Sequence, residues 1–170
     1  MQRDDWYTTH RNAGLLDDAG FVGRTAAERA VARLGGRKVK TGEFPVLFEA
    51  PLAAGLIGSL VHAVSGGALY RKSSFLLDHL GKRVMPEFVQ LSERPHIRCG
   101  LGSSSFDSDG VATSDREVVT DGILQGYFLS TYTARKLGMQ TTGNAGGSHN
   151  LILQPGEDNF AGLLAKMNRG

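Results

Sequence analysis

The sequence is poor in the features that mark secreted, membrane-bound or nucleic-acid-binding chains. It has one cysteine, Cys99, among 170 residues. An intramolecular disulfide and a four-cysteine zinc site are therefore excluded, and a reducing cytoplasm suits such usage. Charge of one sign is also scarce. Lys and Arg number 19 against 17 Asp and Glu, a formal net charge of +2, so no strong field draws in DNA or an anionic membrane. The longest apolar stretch, 51–64, is broken by glycine and serine and is too short to cross a bilayer. The opening MQRDDWYTTH lacks the apolar core of a secretory signal. Hydrophobic residues, at 41%, suffice for a sizeable core.

Residues 1–20 are polar, without a clear period, and read as an irregular lead-in. Thr25 and Glu28 form a T-x-x-E capping box ahead of the helical face Ala27, Ala30, Val31 and Leu34, which Gly35-Gly36 ends. The stretch GGRKVKTGE is the candidate domain boundary. Residues 44–48 predict a short buried strand. Pro51 suits the first turn of a helix, where its missing N–H has no partner to lose. Leu52, Leu56, Leu60 and Val64 then recur at i+4 steps. Gly55 and Gly58 in the same helix predict close backbone packing, and Ser65-Gly66-Gly67 stops it.

Further along, Ser73 or Ser74 is expected to cap a short helix through Leu80, ended by Gly81. Residues 84–91 predict a strand, with Pro86 pointing to an edge. Residues 98–115, rich in Gly, Ser and Asp, predict a long surface loop. Thr120-Asp121-Gly122 between 117–119 and 123–129 is a hairpin signal. A helix over 130–137 ends at Gly138, a glycine-rich loop follows, and a strand covers 151–153. Asp158 caps a last helix over 159–167. Strands and helices mix without βαβ alternation or internal repeat, which predicts an α+β fold. The chain stops directly after its last helix, which predicts that further strands complete the domain elsewhere.

Two motifs fail as ion or nucleotide sites. Phe106-Asp107-Ser108-Asp109-Gly110 has the D-x-D-G look of a calcium loop, but the twelfth position from Asp107 is Val118, not the required Glu. An Asx turn with Gly110 at positive φ is the expectation. Gly143 to Ser148 lacks the G-K-[ST] ending of a P-loop. The five histidines, His10, His62, His79, His96 and His149, show no i, i+4 ligand spacing.

Four segments in order, FEAPLAAGLIG (48–58), SGGALYRKSSFLLDHLGK (65–82), FDSDGV (106–111) and STYTARKLGMQTTGNAGGSHN (130–150), resemble the PmbA branch of the TldD/PmbA family, the "modulator of DNA gyrase" peptidases. The similarity runs over nearly the whole chain. It implies that 1–40 is the end of the family's central region and 41–170 the first part of its C-terminal domain, a fragment without the N-terminal domain or the last strands. The resemblance implies a cytoplasmic dimer, often of TldD-type with PmbA-type subunits, acting on small or unfolded peptides. The zinc is then expected in the TldD-type partner, on an H-E-x-x-x-H helix matching 49–64 here. Aligning Gly55-Leu56-Ile57-Gly58 puts the two histidine positions on Glu49 and Ala54; aligning Glu49-Ala50 puts them on Phe48 and Ala53. Neither register supplies a histidine pair, so no metal ligand and no catalytic residue is assigned.

By analogy with the family, Tyr70, Arg71, Lys72 and Ser73 are candidate contacts to a peptide carboxylate or the partner subunit, with Arg71 suited to paired hydrogen bonds. The plain alternative is a solvated basic turn. His149 and Asn150, at the end of the glycine-rich loop, are the other candidate contacts. The expected function is that of the subunit without zinc in a metallopeptidase complex, with no direct nucleic-acid or membrane partner. The competing expectations are a self-sufficient metallopeptidase with ligands among the scattered histidines, Cys99 and acidic residues, a gyrase- or nucleic-acid-associated module, and a fragment inactive on its own.

Overall fold

The computed structural model describes residues 1–167, and the chain divides into two units, Met1–Phe44 and Pro45–Gly170. In the first, a 3-10 turn at Ala13–Leu15 precedes helix α1, Ala19–Ala32. The helix starts ahead of the predicted Thr25 box because Asp18 already supplies the cap, its carboxylate accepting the Phe21 N–H at 3.1 Å. Thr25 and Glu28 therefore lie inside α1. Gly35, at φ 73°, follows the helix as predicted. The lead-in is tethered rather than loose. Asp4 lies 3.2 Å from Arg29 Nε and 2.9 Å from Arg33 Nε, and the Arg29 guanidinium stands 5.2 Å from the centre of the Trp6 ring.

Residues 44–48, at the junction of the two units, form no strand; Phe44, Val46 and Phe48 are exposed. In the second unit the helices come first. Helix α2, Ala50–Ala63, carries Pro51 in its first turn, as expected. Only the C-terminal half of its leucine stripe is covered: Leu60 and Val64 are buried while Leu52 and Leu56 are exposed. A Cβ on Gly55 or Gly58 would meet nothing within 4 Å, so the predicted close packing is absent among the described residues. Ser65 then caps α3, Gly66–Tyr70. Here a glycine is required by contact, since a Cβ on Gly66 would stand 2.3 Å from Thr133 Oγ1.

The predicted helix after Ser73 is a series of turns. Asp78 takes φ 58°, which breaks a helix. The Tyr127 hydroxyl accepts the His79 and Leu80 N–H groups at 3.1 and 3.2 Å and donates to Leu76 O at 3.3 Å, so backbone groups there are satisfied without one. Of the strand predicted over 84–91, only Leu91 lies in a strand, as the first residue of β1, Leu91–Glu93. The Val84 and Met85 N–H groups donate to Gly122 O, and Gly122 N–H to Val89 O, wrapping that segment around a hairpin tip instead of a neighbouring strand.

That hairpin joins β2, Arg116–Thr120, to β3, Ile123–Leu124. Asp121 and Gly122 have φ 51° and 72°, the paired positive values of a type I′ turn. Helix α4, Thr131–Leu137, has Ser130 and Thr133 in a reciprocal capping box and Gly138 at φ 67° behind it. Strand β4, Leu151–Leu153, and helix α5, Phe160–Lys166, complete the described elements. Asn159 caps α5, while Asp158 pairs with Lys166 Nζ at 2.6 Å. The sheet order is β3-β2-β1-β4, with antiparallel pairing throughout. The core joins Leu60, Val64 and Leu69 to Leu91, Val118, Val119, Leu124 and Leu129. The fold is α+β. No helix among the described residues is long and apolar enough to cross a membrane.

Candidate functional site

The pleat of β1 places Leu91 and Glu93 on one face, and both are fully buried there. Glu93 is thus a carboxylate at a core position. Its Oε2 accepts from Arg116 Nε at 2.6 Å. Its Oε1 accepts from Asn144 Nδ2 at 2.8 Å and from the His149 N–H at 2.6 Å, and faces His149 Nδ1 at 3.2 Å. Burial of a charge is tolerated when it is paired and its lone pairs are filled. Arg116 is held in turn by Tyr127 O at 3.0 Å and by the face of Phe128, 4.5 Å from the ring centre.

A second buried carboxylate fastens the same glycine-rich loop. Asp107 Oδ1 accepts the N–H groups of Asp109 and Val111, and Oδ2 that of Ala145, each at 2.9 Å. The first two close the predicted Asx turn, with Gly110 at φ 79°. Burial pushes this carboxyl up, but the Ala145, Val111 and Asp109 N–H groups and the nearby His149 together outweigh it and hold it below the ordinary aspartate value. Asn144, buried between the two, accepts from Thr142 Oγ1 at 2.7 Å. Loop 142–150 is therefore clamped to β1 by Glu93 and to loop 106–111 by Asp107.

Of the sequence-predicted contacts, Tyr70 ends α3 and Arg71, Lys72 and Ser73 follow it in the next turn. Tyr70 packs edge-on against Tyr132, with centroids 5.9 Å apart, and Arg71 lies over the Tyr70 ring at 5.5 Å. Lys72 is exposed at φ 56°, and Ser73 Oγ donates to Ala68 O at 3.2 Å. His149 and Asn150 join the other neighbourhood. Asn150 Nδ2 donates to Arg94 O at 2.8 Å and to Ser103 Oγ at 2.7 Å, and Oδ1 accepts the Gly102 N–H at 2.8 Å. Both its amide hydrogens are thus spent within the chain. Glu93, Arg116 and Asn144 were not predicted. The signal for Glu93 was the i, i+2 step from Leu91, which puts a carboxylate on the apolar face of a strand.

Between α2 and the sheet lies an apolar groove of about 410 Å³, lined on the helix by Ala50, Ala53, Ala54, Ile57, Gly58 and Val61 and opposite by Leu91, Ser148, Leu151 and Leu153. Ala53 and Ala54, the positions where the resemblance puts the second histidine, thus carry methyl groups into an apolar wall. These residues do not fit a zinc ion, which needs nitrogen, sulfur or carboxylate donors. No group of three or more His, Cys, Asp or Glu side chains among the described residues is placed to hold a metal.

Residues 41–170, which hold the sheet, α2 and the clamped glycine-rich loop, match the family model described as the PmbA/TldA metallopeptidase C-terminal domain. The chain belongs to the TldD/PmbA family. It is 46% identical to the metalloprotease PmbA homolog of Haemophilus influenzae and 44% identical to metalloprotease PmbA of Escherichia coli O157:H7, in each case over 100% of this chain and 38% of the relative. A crystal structure of a putative modulator of DNA gyrase from Thermotoga maritima superposes with a TM-score of 0.88 at 33% identity, over 99% of this chain and 40% of that one. The chain thus spans well under half the length of these proteins.

Proposed function

We propose that this chain is part of a PmbA-like subunit that carries no zinc site of its own and works in a cytoplasmic complex with a TldD-type, zinc-bearing partner, positioning small or unfolded peptides for cleavage. The carrying observation is the groove beside α2: Ala53 and Ala54 line it where ligands would have to stand. The sheet supports a peptide-positioning role. Strand β4 is the last in the order β3-β2-β1-β4, and its outer edge, unpaired among the described residues, offers main-chain groups to an extended peptide.

The test is metal content and peptide cleavage, measured on the chain alone and after mixing with a TldD-type partner. The expected result is zinc bound by the partner and cleavage in the mixture only. Stoichiometric zinc with chelator-sensitive cleavage by this chain alone would overturn the proposal in favour of a self-sufficient metallopeptidase.

A further inference from the structure

Loops 104–108 and 145–149 border an open cup of about 380 Å³ beside the Glu93 network, with Ser104, Phe106, Asp107, Ser108, Ser148 and His149 in its wall. The His149 side chain is 11% exposed and turns Nδ1 to Glu93. In the neutral imidazole this partner selects the tautomer with the proton on Nδ1 and leaves Nε2 as an acceptor. Among the described residues Nε2 makes no hydrogen bond, nor does the hydroxyl of Ser108 or Ser148. Ser108 Oγ leans over the loop: a Cβ on Gly146 would stand 2.6 Å from it.

The charges around the cup decide what it accepts. Glu93 is offset by Arg116 at 2.6 Å. Asp107 is met by backbone N–H groups and Asp109 by the N–H and hydroxyl of Thr131; neither pairs with a cationic Lys or Arg side chain among the described residues. Neutral N–H groups stabilise a carboxylate but leave its net charge in place. An anion entering the cup would face the Asp107 carboxylate in its wall, where no Lys or Arg stands to offset it. A cation with several N–H donors would face that charge favourably and meet the acceptor atoms of Ser108, Ser148 and His149.

We propose that this cup binds a protonated primary amine of a peptide, its N–H groups donated to His149 Nε2, Ser108 Oγ and Ser148 Oγ. Only the choice of a peptide amine rests on the peptide-positioning role above. Glu93 acts here as a positioning residue, fixing the ring nitrogen that receives the donor.

The experiment follows the His149 ring nitrogens by 15N NMR in the full 170-residue chain, titrated separately with four probes. Glycinamide carries an α-amine, Nα-acetyl-lysine amide an ε-amine, N-acetylglycinamide no amine, and acetate an anion. The expected result is a saturable Nε2 shift with an amine probe and affinity about ten-fold weaker or worse without the amine, the worth of one charge-assisted hydrogen bond. The responding amine identifies whether the peptide's amino end or a lysine side chain is the ligand. Ser108→Ala should weaken the amine several-fold with an unchanged melting temperature, and His149→Gln, which keeps an acceptor, should retain part of the affinity. A response to acetate in place of the amines, or none to either amine, would overturn the proposal. That result would leave the peptide-positioning role standing, because it is read from cleavage in the two-subunit mixture.

Discussion

The Glu93 carboxylate lies 2.6 Å from the main-chain N–H of His149 and faces Nδ1 of the same residue at 3.2 Å. One buried oxygen thereby fixes both where the loop returns to the sheet and how the imidazole is turned.

Removing that carboxylate is expected to be costly. Glu93→Ala strands Arg116 in the interior without its anion, and breaking a buried pair in this way costs about 3–5 kcal/mol. Urea denaturation should register a lower midpoint with an unchanged slope. The double variant Glu93→Ala with Arg116→Met should recover part of the loss. A single-variant change below about 1 kcal/mol, the range of exposed pairs, would show that the network contributes little.

Acid should loosen the glycine-rich loop through Asp107. Its folded carboxyl is held below the ordinary value by the Ala145, Val111 and Asp109 N–H groups against the opposing effect of burial. A depressed carboxyl contributes stability that is complete above the unfolded value of about 3.9 and is lost as pH falls through the folded value. Asp107→Asn should flatten that part of the acid limb in a pH series of melting temperatures, and an unchanged limb would assign it to other carboxylates.

Gly122→Ala is expected to disrupt the hairpin tip. The residue sits at φ 72°, and a Cβ there would stand 2.1 Å from Met85 O. Both the strain and the clash act on backbone that cannot rotate away, so about 2 kcal/mol or more should be lost. Gly147→Ala, at φ 121° with nothing within 4 Å, separates the two effects: it bears conformational strain alone and should cost less in the same melts.

The capping box of α4 gives a smaller, local effect. Ser130→Ala deletes the acceptor of the Thr133 N–H at 3.2 Å, and loss of such a cap typically costs about 1 kcal/mol. Ser130→Asp retains an acceptor and should lose less in denaturant titrations.

The sequence is legible where the deciding chemistry is local. Ser130 and Gly138 bracket α4, Asp121-Gly122 make the hairpin, and Asp107 closes its own turn. The sequence is not legible where the partners lie far along the chain. Nothing near His79 announces that the Tyr127 hydroxyl will take the N–H groups of His79 and Leu80, and nothing near Val84 announces Gly122. Glu93 is hidden for the same reason: the pattern ends its strand at Leu91, the cation that offsets it, Arg116, comes from β2 and its other hydrogen bonds come from the glycine-rich loop. In α1, two adequate caps competed, and the earlier one, Asp18, prevailed.

The partners of Glu93 lie 23, 51 and 56 residues away along the chain, at Arg116, Asn144 and His149. Closing loops of that span has an entropic cost that only the assembled sheet offsets. The clamp therefore belongs to the late, high-contact-order part of folding. In the native protein the His149 amide should exchange its hydrogen only when the sheet itself opens, making that one amide a reporter of cooperative unfolding.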